Sequence, residues 1–172
     1  QFVSLDGKAT QGRTPFSMQR FYIPKLNNYE SCAVYLDSDM LVFSDIGELL
    51  DCRDTSAALS SAPAPPGSGR RSQYSMMVID CAKARWEPDE IVSLAQDSYS
   101  GAMFDFEFEE SKKACVPYQW NSLEQFDSDT KLLHFTEMDV QPWISNINPL
   151  APVWMDALFK ALEDEYIKFD EL

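Results

Sequence analysis

The chain has 172 residues, 45% of them hydrophobic and 13% aromatic, a composition that predicts a single globular domain over residues 1–172. Its net charge of −14 repels phosphate backbones and anionic lipids, so we expect no nucleic-acid partner. No apolar run approaches the roughly 20 residues of a membrane span, and no leader pattern opens the sequence, so we expect no transmembrane segment and a cytoplasmic location.

The first predicted elements are a helix and two short strands. Thr14 followed by Pro15 is typical of a helix start, and Pro24 predicts its end or a kink. Residues 32–36 form an apolar run without alternation, which is typical of a strand buried on both faces. Residues 40–43 are a second such run.

The rest of the chain alternates helices and strands around one long loop. Residues 54–73 interrupt the pattern. Within them, residues 62–69 are a Pro-, Gly- and Ser-rich surface loop that ends on Arg70 and Arg71, which are either solvated or in contact with a phosphate. Further strands are predicted over 76–79 and 131–135, and helices over 45–50, 88–96 and 149–166. This order predicts an α/β fold with a mostly parallel or mixed sheet flanked by helices.

Two aspartates, Asp37 and Asp39, follow the first buried strand with one residue between them. Open α/β sheets bind ligands beyond the carboxyl ends of their strands. Two carboxylates this close repel each other and favour a cation between them, and hard oxygen donors favour Mg²⁺ or Mn²⁺, which can bridge a diphosphate. The alternative is a polar turn in which one aspartate caps the next residues.

His134 is the one histidine of the sequence and stands beside apolar residues. It is either a metal ligand, since imidazole suits Mn²⁺ better than Mg²⁺, or a core residue with both nitrogens satisfied. Trp120 and Asn121 precede the last predicted strand. They either contact a sugar or acceptor, by stacking and hydrogen bonding, or are a buried tryptophan and a turn asparagine.

Six stretches in order carry a resemblance over about residues 14–165. The most specific is Y-L-D-S-D-M-L-V at 35–42, continued by D-I-G-E-L at 45–49. The others are residues 16–21, 77–81, 134–136 and 142–143. Together they resemble the motifs of the glycogenin-like family 8 glycosyltransferases, which include bacterial lipopolysaccharide galactosyltransferases.

This resemblance implies a GT-A fold and metal-dependent transfer of a sugar from a nucleotide donor, usually UDP-linked, to a carbohydrate or glycan acceptor, usually with retention. It implies that Asp37, Asp39 and His134 bind Mn²⁺ or Mg²⁺, and that the metal stabilises the leaving nucleotide. It assigns no catalytic nucleophile or base. The residues that it places against the donor are Arg20, Asp37, Ser38, Asp39 and Gln141.

The sequence also departs from the family pattern. No strand–helix unit precedes the first matching helix, so the resemblance implies a partial domain that lacks the N-terminal part of the nucleotide-binding region. Residues 73–75 read Q-Y-S where the family often has N-S-G, which leaves Ser75 as the candidate sugar contact. Gln141 stands near the place of a lysine that reaches a donor phosphate, and an amide does not supply that charge. The family's D-Q pair has no match.

Two other functions remain open. A non-catalytic glycosyltransferase-like domain would bind metal or sugar without turnover, since a fold does not establish an activity. A haloacid-dehalogenase-type phosphatase would use the first aspartate, Asp37, as a nucleophile. In that family a Thr or Val usually stands two residues after the second Asp, where this chain has Leu41.

Overall fold

The computed structural model describes residues 17–65, 67 and 73–171. The chain divides into two compact units, one formed by Gln1–Asp37 and Ile46–Tyr118, the other by Ser38–Asp45 and Gln119–Leu172. Units defined by contacts are not by themselves folding domains, so the single domain over 1–172 stays a prediction. The helix start at residues 14–15 and the two arginines at 70–71 lie outside the described residues.

Each unit contains one mixed sheet within the described part of the chain. The strands are β1 (Cys32–Leu36), β2 (Met40–Val42), β3 (Leu59–Ala62), β4 (Gln73–Asp80), β5 (Lys112–Ala114), β6 (Ser122–Leu123) and β7 (Leu132–His134). The α-helices are α1 (Ile23–Leu26), α2 (Gly47–Asp51), α3 (Pro88–Asp97) and α4 (Ala151–Glu163). Shorter 3-10 turns cover Gln19–Tyr22, Tyr118–Asn121, Met138–Val140 and Phe169–Glu171, and a π turn covers Gly101–Asp105.

Strand β4 organises the sheet of the first unit, whose order is β1-β4-β3-β5. It pairs antiparallel with β1 and β3, and β3 pairs parallel with β5. Residues 76–79 of β4 are fully covered, which explains why the sequence there is continuously apolar instead of alternating.

Aromatic rings form the centre of the first unit's core. Phe21 lies 5.7 Å from Phe106 and 5.4 Å from Phe108 between ring centroids, and Trp86 lies 6.3 Å from Phe21. Tyr74 stacks on Phe106 at 4.4 Å. These tilted and edge-on geometries are the favoured ones for aromatic pairs, and each ring buries a large apolar area.

The sheet of the second unit has the order β2-β7-β6 and places two predicted site residues together. Strands β2 and β7 are antiparallel, with Met40 opposite His134. The ladder extends one residue further, because the Phe135 N–H donates to the Asp39 carbonyl at 3.0 Å. His134 and Asp39 are therefore neighbours at one end of this sheet.

Several predicted elements are confirmed with shifted ends. The strands predicted over 32–36, 40–43, 76–79 and 131–135 correspond to β1, β2, β4 and β7, and the helices predicted over 45–50, 88–96 and 149–166 correspond to α2, α3 and α4. The described part of the first predicted helix is a 3-10 turn followed by α1, which ends two residues after Pro24. The sheets are mixed, not mostly parallel.

No strand was predicted within residues 54–73, yet β3 lies there, and it overlaps the predicted loop over 62–69 only at Ala62. This strand reads L-S-S-A, a pattern of small and polar residues that carries little strand signal, yet all four residues are buried. Tertiary pairing with β4 on one side and β5 on the other supplies the stabilisation that the local sequence does not. Among the helices in the described part of the chain, none has the length and apolar character of a membrane span.

Candidate metal centre

In the first unit, Asp37 directly follows β1 and is held on both its backbone and its side chain. Its N–H donates to the Ser75 carbonyl at 2.9 Å, which continues the pairing of β1 with β4. Its Oδ1 accepts hydrogen bonds from Arg20 Nη2 at 3.0 Å and from the Tyr35 hydroxyl. Ser75, the candidate sugar contact, is thus half-buried on the strand beside Asp37.

Arg20 is fixed by further contacts in the same unit. Its Nε donates to the Ser17 carbonyl at 3.2 Å, its Nη1 to the Tyr74 carbonyl at 3.4 Å, and its guanidinium lies 4.5 Å from the ring centroid of Tyr35. The arginine predicted to contact the donor therefore stands beside the predicted ligand Asp37. Its contact with a donor stays a prediction.

In the second unit, His134 and Asp39 face each other. His134 Nε2 lies 3.2 Å from Asp39 Oδ1. The Asp39 side chain is 25% exposed, yet its Oδ1 is buried and has no hydrogen-bond partner, which is true of no other buried side-chain oxygen or nitrogen in the described residues. The carboxylate oxygen therefore approaches the imidazole without a hydrogen bond of good geometry.

The other nitrogen of His134 explains this contact. Nδ1 lies 3.1 Å from Asn121 Oδ1, an oxygen that can only accept, so the contact is a hydrogen bond in the tautomer that carries its proton on Nδ1. In the neutral imidazole, Nε2 then presents a lone pair to Asp39 Oδ1, which is also an acceptor. Two acceptors at 3.2 Å repel each other unless a proton or a cation lies between them.

Gln141 holds the second oxygen of Asp39. Its Nε2 donates to Asp39 Oδ2 at 3.2 Å and to the Phe135 carbonyl at 2.8 Å, and the residue is buried. The sequence placed Gln141 among the donor contacts, but here its amide group faces the carboxylate of Asp39. Its part in donor binding stays a prediction.

Asp39 and His134, the two predicted ligands of the second unit, offer ligand atoms 3.2 Å apart, and the third predicted ligand, Asp37, belongs to the first unit. Two carboxylates and an imidazole are a ligand set that suits Mn²⁺, with Mg²⁺ as the harder-ligand alternative. The buried acceptor on Asp39 and the lone pair on His134 fit a divalent cation, because such an ion would satisfy both. Ser38, between the two aspartates, is exposed.

Trp120 and Asn121 occupy a 3-10 turn before β6, and both are buried. Trp120 is 1% exposed, which favours the alternative of a core tryptophan. Lys131 Nζ lies 5.3 Å from its ring centroid. Asn121 is fully buried and bonds His134 instead of lying in a solvated turn. Contact of either residue with a sugar stays a prediction.

Comparisons with known proteins point to one fold. No family model matches the chain. It is similar to protein CDI of Arabidopsis thaliana, at 25% identity over 174 aligned residues that cover 87% of this chain. The chain spans 62% of the length of that relative.

The similar solved structures are glycosyltransferases. GlyE of Streptococcus pneumoniae TIGR4 matches with a TM-score of 0.66 and 21% identity, over 81% of this chain and 41% of that one. The galactosyltransferase LgtC matches with a TM-score of 0.60 and 15% identity, over 83% of this chain and 66% of that one. A glycosyltransferase involved in glycosylation of the major capsid of PBCV-1 matches with a TM-score of 0.52 and 15% identity, over 78% and 74%. The predicted α/β fold of the GT-A type, with mixed sheets and flanking helices, is confirmed.

Proposed function

We propose that this chain is part of a metal-dependent glycosyltransferase of the glycogenin-like kind, which transfers a sugar from a nucleotide donor, UDP-linked, to a carbohydrate acceptor with retention. The observation that carries the proposal is the pairing of Asp39 Oδ1, a buried acceptor without a hydrogen-bond partner, with the lone pair of His134. This pair belongs to a fold that the chain shares with glycosyltransferases. That likeness supports a sugar transferase more than it supports a phosphatase.

The net charge of the chain explains why such an enzyme would need a cation. A protein with a charge of −14 repels a diphosphate, and the two aspartates place further negative charge at the strand end. When bound, a divalent cation would supply the positive charge that holds the diphosphate and stabilises the departing nucleotide.

The chain's own residues would then have distinct tasks. Asp37, Asp39 and His134 would hold the cation, each through one ligand atom. Arg20 places a permanent positive charge beside Asp37, which lowers the local excess of negative charge and lets the aspartate keep its orientation. Ser38, which follows Asp37 in the sequence, and Ser75, on β4, would be the candidates to bond a donor phosphate and the sugar.

The test is calorimetric binding of UDP to this chain with and without Mn²⁺. We expect UDP to bind only with Mn²⁺, and Asp39→Ala to abolish binding because it removes both carboxylate oxygens from the site. Asp156→Ala is the matched control, since Asp156 is an exposed aspartate of α4 in the same unit, and it should bind as the wild type does.

Two results would count against the proposal. UDP binding of equal strength with and without Mn²⁺ would remove the metal from donor recognition. Release of inorganic phosphate from small phosphate esters, lost in Asp37→Ala, would indicate the phosphatase instead. Turnover of a UDP-sugar, followed by a screen of donor sugars, would separate a transferase from a domain that only binds.

A further inference from the structure

We infer that Asn121 and Gln141 are positioning residues, which aim the imidazole of His134 and the carboxylate of Asp39 at one divalent cation. The inference rests on the metal site proposed above. All four residues belong to the second unit, so their contacts are internal to one compact body.

Asn121 fixes which nitrogen of His134 is available. Its Oδ1 accepts from Nδ1, and because both side chains are buried, no water competes for that proton. The arrangement is set by the backbone: β6 begins at Ser122 and runs parallel to β7, with Leu123 opposite His134. The ring is therefore held with Nε2 as a lone pair directed at Asp39. Histidines that bind metals commonly use a partner on the second nitrogen in this way.

Gln141 performs the corresponding task for Asp39. Its amide carries two hydrogens, which match its two acceptors, the Phe135 carbonyl and Asp39 Oδ2. The bond to Phe135 anchors the amide to the end of β7. With Oδ2 occupied, Asp39 presents Oδ1, the buried oxygen that has no hydrogen-bond partner, toward His134.

The chemistry of an amide suits this position. A lysine beside Asp39 would neutralise the carboxylate and weaken its attraction for a cation. A glutamine orients the same carboxylate and leaves its charge in place. The replacement of the family's lysine by Gln141 is thus compatible with a metal site, although it removes a phosphate contact that the resemblance led us to expect.

The first measurement uses the single histidine of the chain as a probe. Nitrogen NMR of the metal-free protein at mildly alkaline pH reports which imidazole nitrogen is protonated, without ambiguity of assignment. We expect Nδ1–H in the wild type. Asn121→Leu should lose this preference and weaken Mn²⁺ binding by about 10- to 100-fold, the usual effect of removing such a partner. Asn121→Asp keeps an acceptor oxygen and should retain both the tautomer and the affinity.

The variant Gln141→Met tests the role of Gln141 independently of Asn121. It removes the amide donor while keeping a side chain of similar length, so Mn²⁺ affinity should fall by about 10- to 100-fold while the tautomer of His134 stays unchanged. Gln125→Met is the matched control, because Gln125 is exposed in the same unit, and it should alter neither quantity.

Each contrary outcome has a separate meaning. A wild-type histidine protonated on Nε2 overturns the role of Asn121, and this reading needs no variant to fold. Wild-type protein that binds Mn²⁺, with both variants binding equally well, overturns the positioning roles alone. Wild-type protein that binds no Mn²⁺ overturns the metal site and the inference with it.

Discussion

In the first unit, the buried aromatic rings around Phe21 pack against one another. In the second unit, among the described residues, the groups around Asp39 leave one of its carboxylate oxygens without a hydrogen-bond partner. Phe21 and Phe106 are fully buried, whereas the side chain of Asp39 is 25% exposed and only its Oδ1 is covered. The two regions also differ in their internal contacts: the aromatic rings all have packing partners within the protein, whereas the buried oxygen of Asp39 has no hydrogen-bond donor among the described residues. The aromatic cluster is a core, and under the proposed function a cation would complete the polar cluster, which is the pattern expected where stability is exchanged for binding.

Backbone strain sharpens this contrast. Phe106 has a φ of 47°, a left-handed conformation that is unfavourable for a bulky residue. The protein offsets it locally, because the ring packs among its aromatic neighbours and Lys112 Nζ donates to the carbonyl of Phe106 at 2.7 Å. Within the described residues, no comparable internal contact offsets the buried Oδ1 of Asp39.

The largest effect is expected in the aromatic core. Phe106→Ala should lower the free energy of unfolding by about 3–5 kcal/mol, because it opens a cavity at a fully buried ring that contacts several others. Urea unfolding followed by tryptophan fluorescence measures the change. Phe169→Ala is the control, since Phe169 is 83% exposed, and should stay within about 0.5 kcal/mol of the wild type. A loss below about 1 kcal/mol for Phe106→Ala would show that the rings do not carry the stability.

The second effect separates the polar cluster from a core. Mn²⁺ at 100 times its dissociation constant should stabilise the wild type by about 2.7 kcal/mol, and Asp39→Ala should remove this gain. Without divalent cations, Asp39→Ala should change the free energy of unfolding little, because removing an acceptor that faces His134 opposes the loss of the hydrogen bond from Gln141.

Thermal melts with and without Mn²⁺ measure both quantities. Asp156→Ala, on the exposed face of α4, should keep the full Mn²⁺ gain. If Asp39→Ala instead destabilised the metal-free protein by several kcal/mol, Asp39 would be a structural residue whose interactions are already complete.

Strands β1, β2, β4 and β7 were predictable from the sequence, whereas β3, β5 and β6 were not. The runs that became β1 and β4 are apolar and contain β-branched or aromatic residues, so local preference and tertiary burial agree. By contrast, β5 reads K-K-A and β6 has two residues, S-L. Pairing with β3 and β7 decides their structure, and no single-sequence pattern contains that information.

The site could be predicted in the same partial way. The spacing of Asp37 and Asp39 after a strand, together with the one histidine, predicted three ligands, and two of them, Asp39 and His134, face each other within the second unit. The bonds from Asn121 and Gln141 could not be predicted, because they depend on the register of β6 with β7 and on the turn after Phe135. The sequence contains Asn121 13 residues before His134, but this spacing does not predict a contact between them until the pairing of β6 with β7 is known.

The smallest effect on stability is expected at Asp80, whose carboxylate is paired with the ammonium group of Lys83. At the end of β4, Asp80 accepts hydrogen bonds from the Lys83 ammonium and backbone, and Lys83 Nζ also donates to the Thr55 carbonyl at 2.7 Å. Burial alone would raise the pKa of Asp80, but the hydrogen bonds and the charge of Lys83 outweigh it and hold the pKa below its ordinary value. Lys83→Met should therefore cost roughly 0.2–1 kcal/mol at neutral pH, the range for a partly exposed pair.

The pH dependence of that cost tests its origin. Because the pKa of Asp80 is lowered by folding, the pair contributes fully above the unfolded pKa of about 4, and the contribution disappears as the pH falls through the folded pKa. The difference between wild type and Lys83→Met, measured by urea unfolding, should thus shrink in acid, while Lys25→Met, at an exposed lysine of α1, should show little difference at any pH. A cost that persists in acid would mean that Lys83 acts through its bond to Thr55 and its packing. The Asp80–Lys83 pair would then not illustrate how a positive charge stabilises a carboxylate in this protein. The comparison of Asp39 with the aromatic core would depend on the Mn²⁺ measurement alone.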